Sequence, residues 1–325
     1  MSNQKRPRIA IIGAGITGIT VARALAEAGH EPTIFEKSRG LGGRLSTRIS
    51  RSGVQFDHGG QYLTARGDGF AAFLNQAVEK GSGGVWASEG SSNGSERIVG
   101  TPRMNALLSP FAHALDTRFQ HTILPLTRSG RQWALRVEET GDTHLFDYVV
   151  ITTPSVQARA LIENAEGALA ASLASVDMVP CWALMVAFDT PLETALTTYR
   201  DAHKDIAWIA RDSTKPGRNS AIDQWVIHAS PAWSISHLEE DKQTVAKAFL
   251  SLSTPIFGCA MPVPIYSAAH RWRYAMAATP LGDAFIKSED QTLLVGGDWC
   301  LGARAEDGFG SAMALARHLT NSLAA

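Results

Sequence analysis

The stretch that most limits how this chain can fold runs from Arg8 to Arg44, RIAIIGAGITGITVARALAEAGHEPTIFEKSRGLGGR. Four apolar residues, Ile9 to Ile12, lead into Gly13-Ala14-Gly15-Ile16-Thr17-Gly18, and apolar positions then recur at helical spacing through Ile16, Ile19, Ala22, Leu25 and Ala26. The order is strand, tight turn, helix. Gly13 suits the turn, Gly15 lets backbone approach a diphosphate, and Gly18 allows the helix to pack close to the strand. An anion would then sit at the helix N-terminus, where free amides and the dipole favour negative charge. Gly29-His30 closes the helix, Thr33 to Phe35 reads as a second strand, and Glu36 follows 23 residues after Gly13, placed to accept hydrogen bonds from a ribose. The cofactor contacts expected in this unit are Gly13, Ala14, Gly15, Thr17, Gly18 and Glu36.

The tail of the stretch narrows the class. Arg39-Gly40-Leu41-Gly42-Gly43-Arg44, followed by Leu45-Ser46-Thr47, resembles the glycine-doublet segment that follows the first βαβ unit in flavoproteins of the amine-oxidase-like superfamily. Small residues let the backbone run beside a diphosphate, which the forked guanidinium of Arg44 can neutralise. The resemblance favours FAD over a nicotinamide dinucleotide and adds Lys37, Arg39, Gly43 and Arg44 to the expected cofactor contacts.

With 325 residues, 45% of them apolar, the chain can bury a large core and is expected to form two domains. A net charge of −1 gives no electrostatic case for nucleic acid or an anionic membrane as partner. The basic cluster Lys5, Arg6 and Arg8 reads as a solvated tail, because no signal-peptide core and cleavage site follow. No window approaches the roughly 18 apolar residues of a membrane span, so a soluble, cytoplasmic protein is expected. Cys181, Cys259 and Cys300 lie far apart and suggest neither a disulfide framework nor a metal site. Asn93-Gly94-Ser95 fits a glycosylation acceptor pattern and, without secretion, reads as a polar loop.

Further along, Gly59-Gly60 before Gln61-Tyr62 suggests backbone passing close to a flat ligand. Gly69 to Lys80 has the spacing of an amphipathic helix, and Gly81 to Ser95 is a Gly/Ser-rich loop. Helical spacing recurs from Met104 to Leu115, and a meander is expected between Phe119 and Tyr148. Tyr148 to Thr153-Pro154 reads as a buried parallel strand that delivers its end to a ligand crevice. Apolar runs at Trp182 to Phe188, Ile206 to Ile209 and Trp225 to Ala229, with a helix over Leu238 to Leu252, point to a mixed sheet with helices. The C-terminal part returns to the first domain: Leu293 to Val295 leads through Gly296-Gly297 to Asp298, and a helix is expected over Gly308 to Leu323. Arg211, Lys215 and Arg218 read as a solvated loop, with a dinucleotide phosphate as the other possibility.

GAGITG, SRGLGGRLST, HGGQYLTAR, AWIARDSTKPGR, QWVIHASPAWS, SAAHRWRYA and VGGDWCLGARAEDGFGSA together resemble bacterial renalase-type flavoproteins across almost the whole chain. The resemblance implies an α/β fold: a Rossmann-like FAD-binding domain of the p-hydroxybenzoate-hydroxylase/monoamine-oxidase type with a discontinuous α+β substrate domain. The expected division is 1–68, 97–154 and 268–325 for FAD, and 69–96 and 155–267 for substrate. It further implies cofactor contacts at Gly60, Gln61, Ile123, Thr153, Pro154, Gly297 and Asp298, and a last helix directed at the flavin from Gly308 and Phe309. The implied reaction oxidises the 2- and 6-dihydro isomers of NAD(P)H, with FAD reoxidised by dioxygen to give NAD(P)+ and hydrogen peroxide.

The residues agree with this chemistry in what they omit. There is one dinucleotide fingerprint, the apolar run Met178 to Phe188 lacks the lysine of many amine oxidases, and no flavin-linking cysteine motif is present, so FAD is expected to be non-covalent. A dihydropyridine carries its hydride already, so stacking and orientation matter more than an acid/base dyad. Gln61, Tyr62, Trp182, His228, His270 and Trp299 are the catalytic candidates. Two alternatives stand beside this reading: an FAD-dependent amine oxidase on the same fold, and a non-catalytic FAD-binding protein.

Overall fold

A computed structural model describes residues 6–87 and 96–324. Lys5, Asn93-Gly94-Ser95 and most of the second half of the Gly81 to Ser95 loop lie outside the described residues. The chain divides into two compact units, Met1–Gly43 with Leu108–Met178 and Met276–Ala325, and Arg44–Leu107 with Val179–Ala275. Both are discontinuous. Relative to the division expected from sequence, 44–68, 97–107 and 268–275 fall with the second unit and 155–178 with the first. The reason is packing: Val54 and Phe56 bury against the second unit's sheet, whereas Ala158, Ile162 and Leu173 bury in the first unit's core.

The first unit is built on a six-stranded sheet in the order 286–287, 293–295, 148–151, 9–12, 33–36, 116–119. Its strands run parallel except the edge pair 286–287 with 293–295. Ala10, Ile12, Phe35, Val149, Ile151, Leu293 and Val295 share one core cluster with Trp133, Leu135 and Phe146, which belong to the antiparallel strands Gln132–Arg136 and Thr143–Phe146. The alternate residues Ile9, Ile11, Ile34, Val150 and Leu294 face the other way and are also buried. A sheet covered on both faces explains why its strands read as unbroken apolar runs. From Ile9–Ile12 the chain first adds strand 33–36 on one side and later strand 148–151 on the other. That reversal opens a crevice at the strands' carboxyl ends, the usual ligand position in doubly wound sheets.

The helix Ile16–Glu27 packs against the C-terminal helix Ala305–Ala324. The latter begins three residues earlier than expected, because the Asp307 side chain accepts from the Arg304 N–H at 2.8 Å and fixes the start there. The expected helix over Met104 to Leu115 is instead a 3-10 turn, Met104–Leu108, and a one-turn helix, Ser109–Ala112, with Pro110 in its first turn. The other expected helix starts at Lys242, capped by Asp241, which accepts from the Gln243 and Thr244 N–H groups.

The second unit holds a five-stranded sheet in the order 198–203, 206–211, 223–229, 177–188, 266–279, antiparallel across its first three pairs. Trp182, Leu184, Val186, Phe188, Ile209, Trp225 and Ile227 form one face, buried with Trp233, Val245 and Phe249 from two helices. On the opposite face Met185, Ala187 and Val226 bury with Val54 and Phe56, and Ile222, Tyr266 and Ala268 pack against them. That second face has a small apolar patch at one end. At the other end it carries polar and aromatic side chains.

Candidate functional site

In the first unit, the fingerprint turn is held from several sides. Gly13 has φ +109°, a conformation that favours glycine, and a Cβ on Gly18 would overlap the Gly13 carbonyl oxygen. Thr152 Oγ1 donates toward the carbonyls of Ile12 and Gly13. The Glu36 carboxylate, 7% exposed, accepts from the Ala14 N–H and the Ser38 N–H, each at 2.8 Å. It therefore locks the turn, with lone pairs left for a further donor. The glycine doublet lies on the same turn: Gly42 N–H donates to the Ala14 carbonyl at 3.0 Å, and Gly43, at φ +53°, sits with its Cβ position 3.7 Å from Gly15 Cα.

Three observations test this cradle against a dinucleotide. A Cβ on Gly15 would meet no protein atom within 4 Å, so the backbone at the helix start borders open space. No side chain caps the helix Ile16–Glu27, which leaves its first N–H groups for an anion. The buried hydroxyl oxygens of Thr153 and Ser155, at the end of strand 148–151, make no hydrogen bond. These residues fit a dinucleotide with its diphosphate at the turn.

The remaining expected contacts are placed as follows. Lys37 and Arg39 are exposed, and Lys37 Nζ reaches Gln157 at 3.4 Å. Ile123 is buried in the cluster that holds Phe35. Pro154 caps the helix Ser155–Ile162. Gly297 N–H donates to Ser311 Oγ at 3.0 Å, and buried Asp298 opens a 3-10 turn. Gly308 packs against the nucleotide helix: a Cβ there would lie 2.8 Å from Thr17 Oγ1 and 3.6 Å from Asp298 Cβ. Gly308 and Phe309 thus sit inside the first turns of the last helix and not at its tip. Trp299 is fully buried, its indole N–H donating to the Thr153 carbonyl at 3.0 Å, which makes it a brace for the crevice rather than an exposed wall.

The second unit gathers His58, His228, His270 and Trp272. The His58 and His270 rings meet edge to face at 4.6 Å, and Trp272 lies 4.9 Å from His58 and 4.5 Å from His270. The His58 carbonyl accepts from Trp272 Nε1 at 2.8 Å and from His228 Nε2 at 3.2 Å, an arrangement that puts the His228 proton on Nε2. His270 Nδ1 is buried and makes no hydrogen bond. Burial holds all three imidazoles below the usual range: His58 to about 4, aided by Arg48 and His228; His228 to about 4, aided by Lys215; His270 to about 3, aided by His58 and Arg48. They are neutral at pH 7.

Chain crossing accounts for the glycines at 59 and 60. A Cβ on Gly59 would overlap the Arg44 carbonyl and touch Trp272, and one on Gly60 would lie 2.7 Å from Leu45 Cδ2. Arg44 itself donates from Nη1 to the Ala275 carbonyl at 2.8 Å. Gln61 is buried and donates to the carbonyls of Asp57 and Gly59. Trp182 is also misplaced by the sequence reading. It points to the helix-packed face, opposite Ala183, is fully buried, and donates from Nε1 to the His237 carbonyl at 3.0 Å.

The loop expected to be solvated is a buried ion network. Lys215 Nζ lies 3.2 Å from Asp57 and 2.6 Å from Asp212, Arg218 pairs with Asp57, and all four side chains have no exposure. Gln61 accepts from Lys215 at 3.3 Å. Burial would raise Asp57, but Lys215, Arg218 and the Thr47 hydroxyl more than offset it and hold the carboxyl at about 2. Burial, together with the charge of Asp57, pushes Asp212 up. Arg211 pairs with buried Asp223 at 2.6 Å. The network clamps the segment that carries His58 and Gln61. Sequence reasoning missed it, along with His58, Arg48 and Trp272; the nearest signal was the HRWRYA run, in which Trp272 lies two residues after His270.

Among the described residues, no helix is long and apolar enough to cross a membrane. Residues 11–77 match the NAD(P)-binding Rossmann-like domain family, and residues 67–320 match the family of flavin containing amine oxidoreductases. A 52-residue stretch is 48% identical to 4,4'-diapophytoene desaturase (4,4'-diaponeurosporene-forming) of Staphylococcus aureus (strain Newman), and it spans 16% of this chain and only 10% of that protein. Among solved structures, a candidate protoporphyrinogen oxidase from Exiguobacterium sp. 255-15 is similar with TM-score 0.76 and 14% identity, covering 99% of this chain and 100% of the other. Cyclohexylamine oxidase from Brevibacterium oxydans IH-35A gives TM-score 0.69 and 14% identity over 98% and 100% of the two chains. Reduced UDP-galactopyranose mutase gives 0.72 and 10% over 97% and 96%. At these identities the likeness is one of fold. The nucleotide cradle, the doubly wound sheet and a family match from residue 67 to residue 320 agree: the chain belongs to the flavin containing amine oxidoreductases.

Proposed function

We propose that this protein is an FAD-dependent oxidase of isomeric dihydronicotinamide dinucleotides, the 2- and 6-dihydro forms of NAD(P). FAD, when bound, accepts the substrate's hydride and is reoxidised by dioxygen, so that one dihydro-NAD(P), one proton and one O2 give NAD(P)+ and H2O2. The first unit's cradle holds the diphosphate at Gly13 to Gly18, with Glu36 toward the ribose. Cys300, the cysteine beside Asp298, is fully buried and its thiol is pushed up to about 12 by burial; this supports a non-covalent cofactor.

The observation that carries the reading is the neutral imidazole and indole group of His58, His228, His270 and Trp272. A dihydropyridine needs no base, because losing its hydride restores aromaticity. It needs planar walls and a few uncharged polar atoms that fix the ring at about 3–3.5 Å from the acceptor. Trp272 offers such a wall, and the unsatisfied His270 Nδ1 can meet a carboxamide. An amine, by contrast, arrives as an ammonium ion. The three imidazoles are uncharged; of the charges His58 feels, the cation Arg48 outweighs the carboxylate Asp57, and His270 feels the cations Arg48 and Lys242, a balance that disfavours that ion.

Anaerobic mixing decides the matter. Bleaching of the flavin by 6-dihydro-NAD much faster than by ordinary NADH is the expected result. Equal rates, or no bleaching, would overturn it, and bleaching by an amine panel would transfer the assignment to an amine oxidase.

A further inference from the structure

A chain of hydrogen bonds fixes one lone pair in the imidazole group. Lys215 Nζ can only donate, so the Gln61 oxygen that meets it at 3.3 Å is the acceptor. That turns Gln61 Nε2 onto the carbonyls of Asp57 and Gly59. The carbonyl between them, that of His58, is met instead by Trp272 Nε1 at 2.8 Å and His228 Nε2 at 3.2 Å. A carbonyl only accepts, so Nε2 carries the His228 proton. A neutral imidazole has a single N–H, and His228 Nδ1 is therefore a bare lone pair. Among the described residues no donor meets it, and the side chain is half-buried.

We infer that His228 is a specificity-determining residue of this site, its Nδ1 accepting the N–H of a primary carboxamide on a planar ring. Nδ1 cannot become the donor without breaking the bond from Nε2 to the His58 carbonyl, so the ligand atom opposite it must carry a hydrogen. Trp272 and His228 share that carbonyl, which sets the indole beside the imidazole, and the rings of His58 and His270 lie 4.9 and 4.5 Å from Trp272. The surroundings are flat and aromatic. A carboxamide conjugated to a ring lies near the ring plane and puts its N–H at the edge, where the in-plane lone pair of an imidazole can meet it.

The sheet holds the acceptor in place. His228 faces Trp208 across one strand pair and Ala183 across the next. Directly opposed residues share a sheet face, and Trp208, 5% exposed, flanks the imidazole on one side. A ligand without the hydrogen leaves the lone pair unmatched, which costs more than the hydrogen bond itself gains. That the amide belongs to a dihydronicotinamide rests on the function proposed above; the tautomer and its acceptor do not.

The test compares nicotinamide with 3-acetylpyridine, neutral molecules of nearly equal shape in which NH2 is exchanged for CH3, on the flavin-loaded protein. Nitrogen-15 NMR is expected to show His228 in its Nε2–H form, with the Nδ1 resonance moving on titration with nicotinamide. Nicotinamide is expected to bind about tenfold or more tightly than 3-acetylpyridine. His228→Phe, which keeps a ring but lacks the acceptor, is expected to erase that preference, whereas loss of a purely structural residue would weaken both ligands together and leave their ratio. An Nδ1–H tautomer, an Nδ1 resonance indifferent to nicotinamide, or equal affinities for the two ligands would each overturn the inference, and all three are read on the unaltered protein. Flavin bleaching separates the two ideas. The amide preference without bleaching by any dihydropyridine would keep His228 as the acceptor and remove the proposed function. Bleaching by 6-dihydro-NAD with no amide preference, and with KM unchanged in His228→Phe, would do the reverse.

Discussion

One methyl group distinguishes the two uses of glycine in the opening turn. On Gly18 it would overlap the Gly13 carbonyl and crowd Thr152 Oγ1 at 2.8 Å, whereas on Gly15 it would meet no protein atom within 4 Å. Gly15 also has φ −77° and ψ −176°, which alanine adopts without strain. The two alanine variants are therefore expected to fail differently. Gly18→Ala forces the helix from its strand and lowers the stability of the flavin-free protein by about 1–3 kcal/mol. Gly15→Ala changes that stability by no more than roughly 0.5 kcal/mol, but it places a methyl where the diphosphate approaches and lowers the flavin-to-protein absorbance ratio of the purified protein. Urea midpoints of the stripped variants, beside their flavin content, check this; equal destabilisation in both would show Gly15 to be a packing residue.

At the scale of elements, three separate segments bring His58, His228 and His270 together, and their charge state couples the assembly to pH. Each folded pKa, about 4, about 4 and about 3, lies below the ordinary 6.5. Above pH 6.5 folded and unfolded chains are both neutral at these sites. As pH falls below 6.5 the unfolded chain takes up protons that the folded chain refuses, so stability falls, by up to about 1.4 kcal/mol per unit for each imidazole. The decline continues until the folded values are passed. The urea midpoint is expected to drop between pH 7 and pH 5, and His270→Gln to flatten that drop by one proton's share. A midpoint flat over this range would mean that the imidazoles take up protons in the fold as readily as in the unfolded chain.

What the sequence could disclose divides along the same elements. The strands 9–12, 148–151 and 293–295 were readable because both faces of their sheet are covered, which leaves an unbroken apolar run. Strand 177–188 was readable as a strand, but nothing in Trp182-Ala183-Leu184-Met185 says which parity meets the helices, so the run does not tell that Trp182 packs on the helix-covered face. The ion network was illegible for a stronger reason. Lys215 and Arg218 look solvated until Asp57, 158 residues away from Lys215, is folded beside them, and no local pattern encodes that pairing. Cα parity and a distant partner are both properties of the folded element.

At the scale of the molecule, the first unit is assembled from Met1–Gly43, Leu108–Met178 and Met276–Ala325, and the nucleotide cradle proposed for it draws on all three runs: Gly15 and Glu36, then Thr153 and Ser155, then Asp298 and Gly308. A ligand bound only by the folded arrangement stabilises it by mass action, by about 2.7 kcal/mol at a hundredfold excess over Kd. For a domain of this size each kcal/mol raises Tm by about 2–4 °C. FAD added to the stripped protein is therefore expected to raise its Tm by roughly 5–10 °C. FMN shares the ring, the ribityl chain and the first phosphate but lacks the adenylate half, so it fills only half of a diphosphate position at Gly15 and puts no ribose at Glu36. Its shift is expected to be a small fraction of that for FAD. Equal shifts would show that the buried carboxylate of Glu36 serves only to lock the Ala14 and Ser38 amides, and that the fingerprint turn is a structural corner rather than a dinucleotide seat.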